Sequence, residues 1–362
     1  MGEPKDKIGL KEYTAIALFL IGIKATDDVP AMLFDSLKNA GWMGPIISGL
    51  IAILPLFLLL DIAKKYQSKN SIDIFYHLLG KYVGFFVLFL LWVAGFLYIV
   101  LDTATYSDIV ATMYFPRTPA FVLYAILVGV SAYGAKRGLE HIGSVSWAVF
   151  PYLQATLLFA IILTIRHGNS GFLFPIFGPG EWEVIKESTM SVSIYIDFLY
   201  LFLLFPYVKS VKDFKKGTWI AFFIALFNLA ISMVSFVMIF DYNTAMSLNY
   251  PYHEAIRSIT IGFLTNLETF FFPFWLIATD IKFAIYFYIN IFLFGKLFKI
   301  EHFEYIIPAF ATLILFLGLI PESPTFSVFH MRHFFGQILS PVFFFLPILL
   351  WVLANVKGEM RK

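Results

Sequence analysis

The chain has 362 residues, of which 60% are hydrophobic and only 14% charged, with a formal net charge of +2 and a mean hydropathy of +0.81. That balance lies outside the range of water-soluble globular domains and reads as a polytopic membrane protein. Cysteine is absent, which excludes a disulfide framework, a thiol nucleophile and any cysteine-based metal site.

The first twelve residues are polar and of mixed charge, and the apolar run after them is too long, with no small-residue cleavage site, for a signal peptide. Apolar runs near the roughly 20 residues that cross about 30 Å of hydrocarbon predict helices at 13–37, 44–62, 83–112, 118–135, 141–165, 189–208, 217–240, 260–292, 303–320 and 334–355. Helices satisfy their own backbone in lipid, and the short alternating strands of a barrel are not seen. Between the spans, 71–80 and 252–258 read as amphipathic connectors, and the Gly- and Pro-rich stretch 168–187 as the longest surface loop.

Nineteen basic residues, among them Lys5, Lys282, Arg361 and Lys362, fall in one set of alternate loops, against six, including Arg257 and Arg332, in the other. The bias predicts cytoplasmic termini and an even number of spans, and ten alternates cleanly. The fold class expected is an all-α polytopic membrane protein with ten transmembrane helices.

The first span carries FLIGIKATDDVPAMLF (19–34), which places Lys24, Thr26, Asp27 and Asp28 between Gly22 and Pro30. Proline removes a helical hydrogen bond, so the span is expected to break there. A broken helix within a membrane is tolerated beside a cavity or against other protein, the usual construction of a transporter binding site. The plainer alternative is a structural ion pair around a proline kink. Further along, Tyr98, Asp102 and Thr105 share one helical face, as do Ser193, Asp197 and Tyr200. Asn266 and Glu268 sit near the outer end of the eighth span. One lysine against five carboxylates (Asp27, Asp28, Asp102, Asp197 and Glu268) requires bound protons, cations, a ligand ammonium group or water.

There is no Walker loop, G-x-G-x-x-G, HExxH or G-x-S-x-G pattern. His330 and His333 lie close in sequence, but two nitrogens do not complete the tetrahedral shell that zinc prefers. No catalytic residue, cofactor, metal or nucleic-acid partner is expected.

Three stretches, GLEHIGSVSWAVFP (138–151), LFPYVKSVKDFKKG (204–217) and YPYHEAIRSITIGFLTNLETFFFPFWLIATDIK (250–282), carry a resemblance. With Gly138, Leu139 and Glu140, Phe205 and Pro206, and Arg257, Glu268 and Trp275, the chain resembles the B subunit of bacterial spore nutrient germinant receptors. That spore permease family is similar to the amino acid, polyamine and organocation transporters. Departures are Lys24 beside Gly22 where the family has a glycine-rich break, and Ser144 and Asn266 where it has arginines. The sixth span has no glycine or proline between Lys186 and Phe205, so its break rests on Ser188, Thr189, Ser191 and Ser193.

The resemblance implies a single domain over residues 1–362 with a five-plus-five inverted-repeat (LeuT-like) fold, the repeats at about 13–165 and 189–355. It implies a nutrient, most often an amino acid, bound between the first, third, sixth and eighth spans. The ligand-binding residues expected are Gly22, Lys24, Thr26, Asp27, Tyr98, Asp102, Thr105, Ser193, Asp197, Tyr200 and Glu268. Half-helix N-termini would receive the carboxylate, and Asp102, Asp197 or backbone carbonyls the ammonium. Partner A and C subunits in the spore inner membrane would receive the signal that starts germination. Two other readings stay open: a proton- or cation-coupled transporter, and a scaffold whose vestigial pocket is plugged by Lys24.

Overall fold

The computed structural model describes residues 7–260, 267–320 and 331–360. In chain order its helices are α1 (Leu10–Ile21), α2 (Val29–Leu37), α3 (Met43–Lys65), α4 (Ser71–Leu79), α5 (Lys81–Ile109), α6 (Ala120–Lys136) and α7 (Leu139–His167). There follow α8 (Glu181–Met190), α9 (Asp197–Phe202), α10 (Val211–Ser247), α11 (Pro251–Ser258), α12 (Leu267–Leu297), α13 (Ile307–Gly318) and α14 (His333–Val356). Among the described residues six stretches, Met43–Lys65, Lys81–Tyr114, Leu139–His167, Val211–Ala245, Glu268–Leu297 and His333–Val356, are long and apolar enough to cross a bilayer. The chain is therefore an all-helical membrane protein. The expected connectors are α4 and α11, and the shorter apolar helices α6 and α13 fall on the expected spans 118–135 and 303–320.

Two expected spans are broken. After α1 the chain tightens into a 3₁₀ turn, Gly22–Ala25, and restarts as α2 with Pro30 in its first turn, where a missing N–H costs nothing. The local chemistry builds the restart: Asp27 Oδ1 accepts the Val29 N–H at 2.9 Å, and Thr26 Oγ1 donates to Ile23 O at 2.7 Å. The sixth span divides into α8, a 3₁₀ turn Val192–Tyr195 and the short α9. No glycine or proline lies at this break. Ser340 of α14 braces it, accepting the Ser193 N–H at 3.0 Å and donating to Met190 O at 2.5 Å, so backbone groups freed at the break find a partner on a neighbouring helix.

Helix α1 lies in the core. Every residue from Tyr13 to Ile21 is buried, and the helix packs on α7, α10 and α12. It meets α10 at Gly217, where a Cβ would stand 2.6 Å from the Tyr13 ring, and Tyr13 OH bonds Thr218 Oγ1 at 2.8 Å. The segment before α1 is tied to the one after α9, with Ile8 N donating to Tyr207 O and Lys209 N to Ile8 O, each at 2.9 Å. The two broken elements are thereby fastened to each other beyond the breaks as well as at them.

Candidate functional site

At the centre of the fold the two breaks face each other, and buried charge fills the space between them. Lys24 Nζ donates to Ile194 O at 2.8 Å and to Asp197 Oδ2. Asp197 opens α9, and its other oxygen accepts Tyr286 OH from α12 at 2.5 Å. A lysine from one break thus holds a carbonyl and a carboxylate of the other.

A second group lies beside it. Lys282 Nζ of α12 stands 2.7 Å from Asp102 Oδ2 and 3.6 Å from Asp27 Oδ2, and donates to Tyr106 OH at 2.9 Å. Arg332, at the start of α14, pairs through Nη1 with Asp28 Oδ1 and through Nη2 with Asp102 Oδ1 at 2.9 Å, with Asp27 Oδ2 3.7 Å away. Tyr98, Asp102 and Tyr106 recur every four residues along α5 and so share the face turned to this network. Tyr106 is stacked on Trp275 at 5.3 Å, and the Trp275 indole N–H donates to Thr26 Oγ1 at 3.0 Å, which braces the first break from the side of α12.

Three cations, Lys24, Lys282 and Arg332, therefore meet four carboxylates, Asp27, Asp28, Asp102 and Asp197, and all seven side chains are at most 4% exposed. Charges so deeply desolvated are tolerable only as a connected, hydrogen-bonded set. Asp28 Oδ2 is buried with no hydrogen-bond partner among the described residues.

The expected balance of one lysine against five carboxylates needs correcting. Lys282 and Arg332, counted with the loops, are buried inside the network. Glu268 does not join it, lying instead 4.0 Å from Arg257 Nε. A signal for Lys282 was present, since it falls well inside the expected span 260–292. Arg332 precedes the span expected at 334, and nothing in its local sequence marks it as buried.

Lys24 and the remaining expected site residues fall into three sets. Lys24, Tyr98 and Ser193 line a cavity of about 80 Å³ between α2, α8 and α14, with Arg332, His333 and Gln337. Gly22 and Thr26 line a second, more apolar cavity of about 70 Å³ on the other side of the break, with Gln154, Asn228, Trp275 and Phe271. Thr105 Oγ1 donates to Leu101 O of its own helix at 3.0 Å, and Tyr200, whose OH donates to Leu91 O at 2.9 Å, lines a third cavity of about 10 Å³ with Tyr98 and Asp197. Asn266 and His330, and Lys5, Arg361 and Lys362 of the charge count, lie outside the described residues.

Comparison with known proteins adds the family. A family model described as "Spore germination protein", the spore permease family, matches residues 11–327. Spore germination protein XB of Bacillus anthracis is 24% identical over 359 residues, covering 95% of this chain and 99% of that protein. Spore germination protein KB of Bacillus subtilis (strain 168) is 23% identical over 376 residues, covering 99% of this chain and 97% of the relative. Putative spore germination protein YfkT of the same strain is 26% identical over 279 residues, covering 75% of this chain and 74% of that protein. With nearly its whole length matched and the helices of a membrane protein beneath the match, the chain belongs to the spore permease family of spore germination proteins.

Proposed function

We propose that this chain is the nutrient-sensing membrane subunit of a spore germinant receptor. In this reading the helices cross the membrane ten times as two inverted repeats of five, with both termini in the cytoplasm and the protein in the spore inner membrane. A small nutrient binds in the cavity between α2, α8 and α14, and the bias it imposes passes to partner A and C subunits. The observation that carries the reading is the Lys24 bridge to Ile194 O and Asp197, which joins two helix breaks beside that cavity. A ligand wedged against this bridge bears on both breaks at once. A sensor needs only differential affinity for two states, and about 1.4 kcal/mol gives a tenfold shift.

The test is protection of the purified protein from thermal unfolding by a panel of sugars, nucleosides, amino acids and hydroxy acids, followed by germination of spores carrying Ser193→Phe, which fills the cavity. Protection by a panel member, with loss of the matching germination response in the variant, supports the reading. A chain that nothing protects, in spores whose response is unchanged by Ser193→Phe, is not the sensing subunit.

A second reading is a proton-coupled transporter, favoured by the buried Asp28 Oδ2 and by four carboxylates set against three cations. The surplus site suits a proton, and sustained uptake of the protecting ligand into proteoliposomes under a proton gradient would select this reading over a pure sensor.

A further inference from the structure

We propose, building on the ligand-binding reading above, that Lys24 is a built-in ammonium group, and that the cavity between α2, α8 and α14 takes an uncharged, hydroxylated small molecule with an apolar flank rather than a free amino acid.

A free amino acid brings an ammonium that needs an anionic acceptor. Each acid near the break is already engaged or faces elsewhere. Asp197 holds Lys24 on one oxygen and Tyr286 on the other. Asp102 faces Lys282 and Arg332 on its two oxygens. Asp27 accepts from Val29 N and, at 3.3 Å, from Tyr106 OH. Asp28 is bound through one oxygen to Arg332, and neither it nor Asp27 or Asp102 lines the cavity. Glu187, the one acid among the described residues that does line the cavity, lies 3.4 Å from the half-exposed Lys186 Nζ, which also holds Glu183 at 3.1 Å.

An incoming ammonium that seeks an acid at the break must therefore displace Lys24, which is tethered there and competes at high effective concentration. An incoming anion would meet Lys24 and Arg332 on the cavity wall, but both are already held by the buried carboxylates behind them, which outnumber the three cations four to three. What the cavity does offer suits a neutral guest. Met32, Leu33 and Leu339 supply apolar wall, while Ser193, Gln337 and Tyr98 supply hydroxyl and amide groups.

Lys24→Ala removes a propylammonium's worth of side chain, so n-propylammonium is the matching probe, read as the melting temperature of the full-length protein in detergent. We expect it to raise the melting temperature of Lys24→Ala by about 2 °C or more, and to leave the native chain and Lys24→Ala/Asp197→Asn unmoved. On the native chain, three probes share one carbon skeleton: 1,2-propanediol, lactate and alanine. The diol should protect best, its effect should vanish in Ser193→Phe, and alanine should overtake it in Lys24→Ala.

Alanine protecting the native chain at least as well as the diol overturns the inference and leaves the ligand-binding reading standing. A folded Lys24→Ala that propylammonium does not stabilise overturns it too. Should Lys24→Ala fail to fold, the native-chain order decides alone. Rescue by propylammonium together with no protection of the native chain by any panel member would remove both the neutral ligand and the sensing role.

Discussion

Lys282 Nζ lies 2.7 Å from Asp102 Oδ2, and neither side chain has any exposure to solvent. A pair of this kind sets a large asymmetry between losing one partner and losing both. Its net contribution to stability is small because desolvation opposes the attraction, yet removing one partner strands the other.

Lys282→Met should therefore destabilise the protein by about 3–5 kcal/mol, seen as a fall in melting temperature on the order of 10 °C in detergent. The double variant Lys282→Met/Asp102→Leu should recover a large part of that loss. A single variant that melts within a degree of the native chain would show that the two side chains are not paired.

That pair also marks how far the sequence could be read. The break at 22–30 was legible because Pro30 and the neighbouring aspartates are local signals for ending one helix and starting another. The faces of Tyr98 and Asp102, and of Ser193 and Asp197, followed from helical spacing alone. The partners did not, because Lys282 and Arg332 become partners only when α12 and α14 fold back onto α5, and charge counting by loop assigns both to solvent. Ser340 was equally hidden: it lies 147 residues from Ser193 and braces the sixth span through one hydroxyl. Local signals located the breaks, while what fills and steadies them comes from long-range packing.

The excess of carboxylates predicts unequal costs for two similar changes. Asp28→Asn equalises the count, keeps a carbonyl oxygen to accept from Arg332, and alters the oxygen that has no hydrogen-bond partner. It should stay within about 1 kcal/mol of the native chain. Asp102→Asn removes the charge that faces both Lys282 and Arg332 and should cost about 3 kcal/mol or more. Melting temperatures of the two variants give the order directly, and the reverse order would mean that the proton or counter-charge resides on Asp102.

Glycines at two helix ends should respond in opposite ways to a methyl group. Gly22 has φ −67° and ψ −31°, and a Cβ there would meet nothing within 4 Å. The break does not depend on glycine geometry, so Gly22→Ala should be neutral or stabilising by up to about 1 kcal/mol. At Gly318 a Cβ would fall 2.0 Å from Tyr124 OH, which donates to Ile314 O at 2.9 Å and bonds Thr103 Oγ1 at 3.0 Å. Gly318→Ala must push that ring aside and should cost about 1–3 kcal/mol. Equal melting temperatures for the two variants would contradict the packing of α13 on α6.

Beyond α14 the chain folds back on the connector α4, and this contact should open in acid. Glu359 accepts Tyr66 OH at 2.7 Å and meets His77 Nε2 at 2.9 Å, while Lys357 Nζ donates to His77 O. Hydrogen bonds from Tyr66, then from His77, hold the Glu359 carboxyl below the usual glutamate range. A carboxyl depressed by folding contributes stability that is fully present above its unfolded value, about 4.3, and is lost as pH falls through the lower folded value. The segment 357–360 should thus stay docked at neutral pH and release only below that range. Hydrogen exchange of its amides, corrected for intrinsic rates, should rise as pH falls through that window in the native chain. In Glu359→Gln, which cannot ionise, protection should be weaker throughout and free of this transition. An unchanged transition in Glu359→Gln would assign the acid sensitivity to another group.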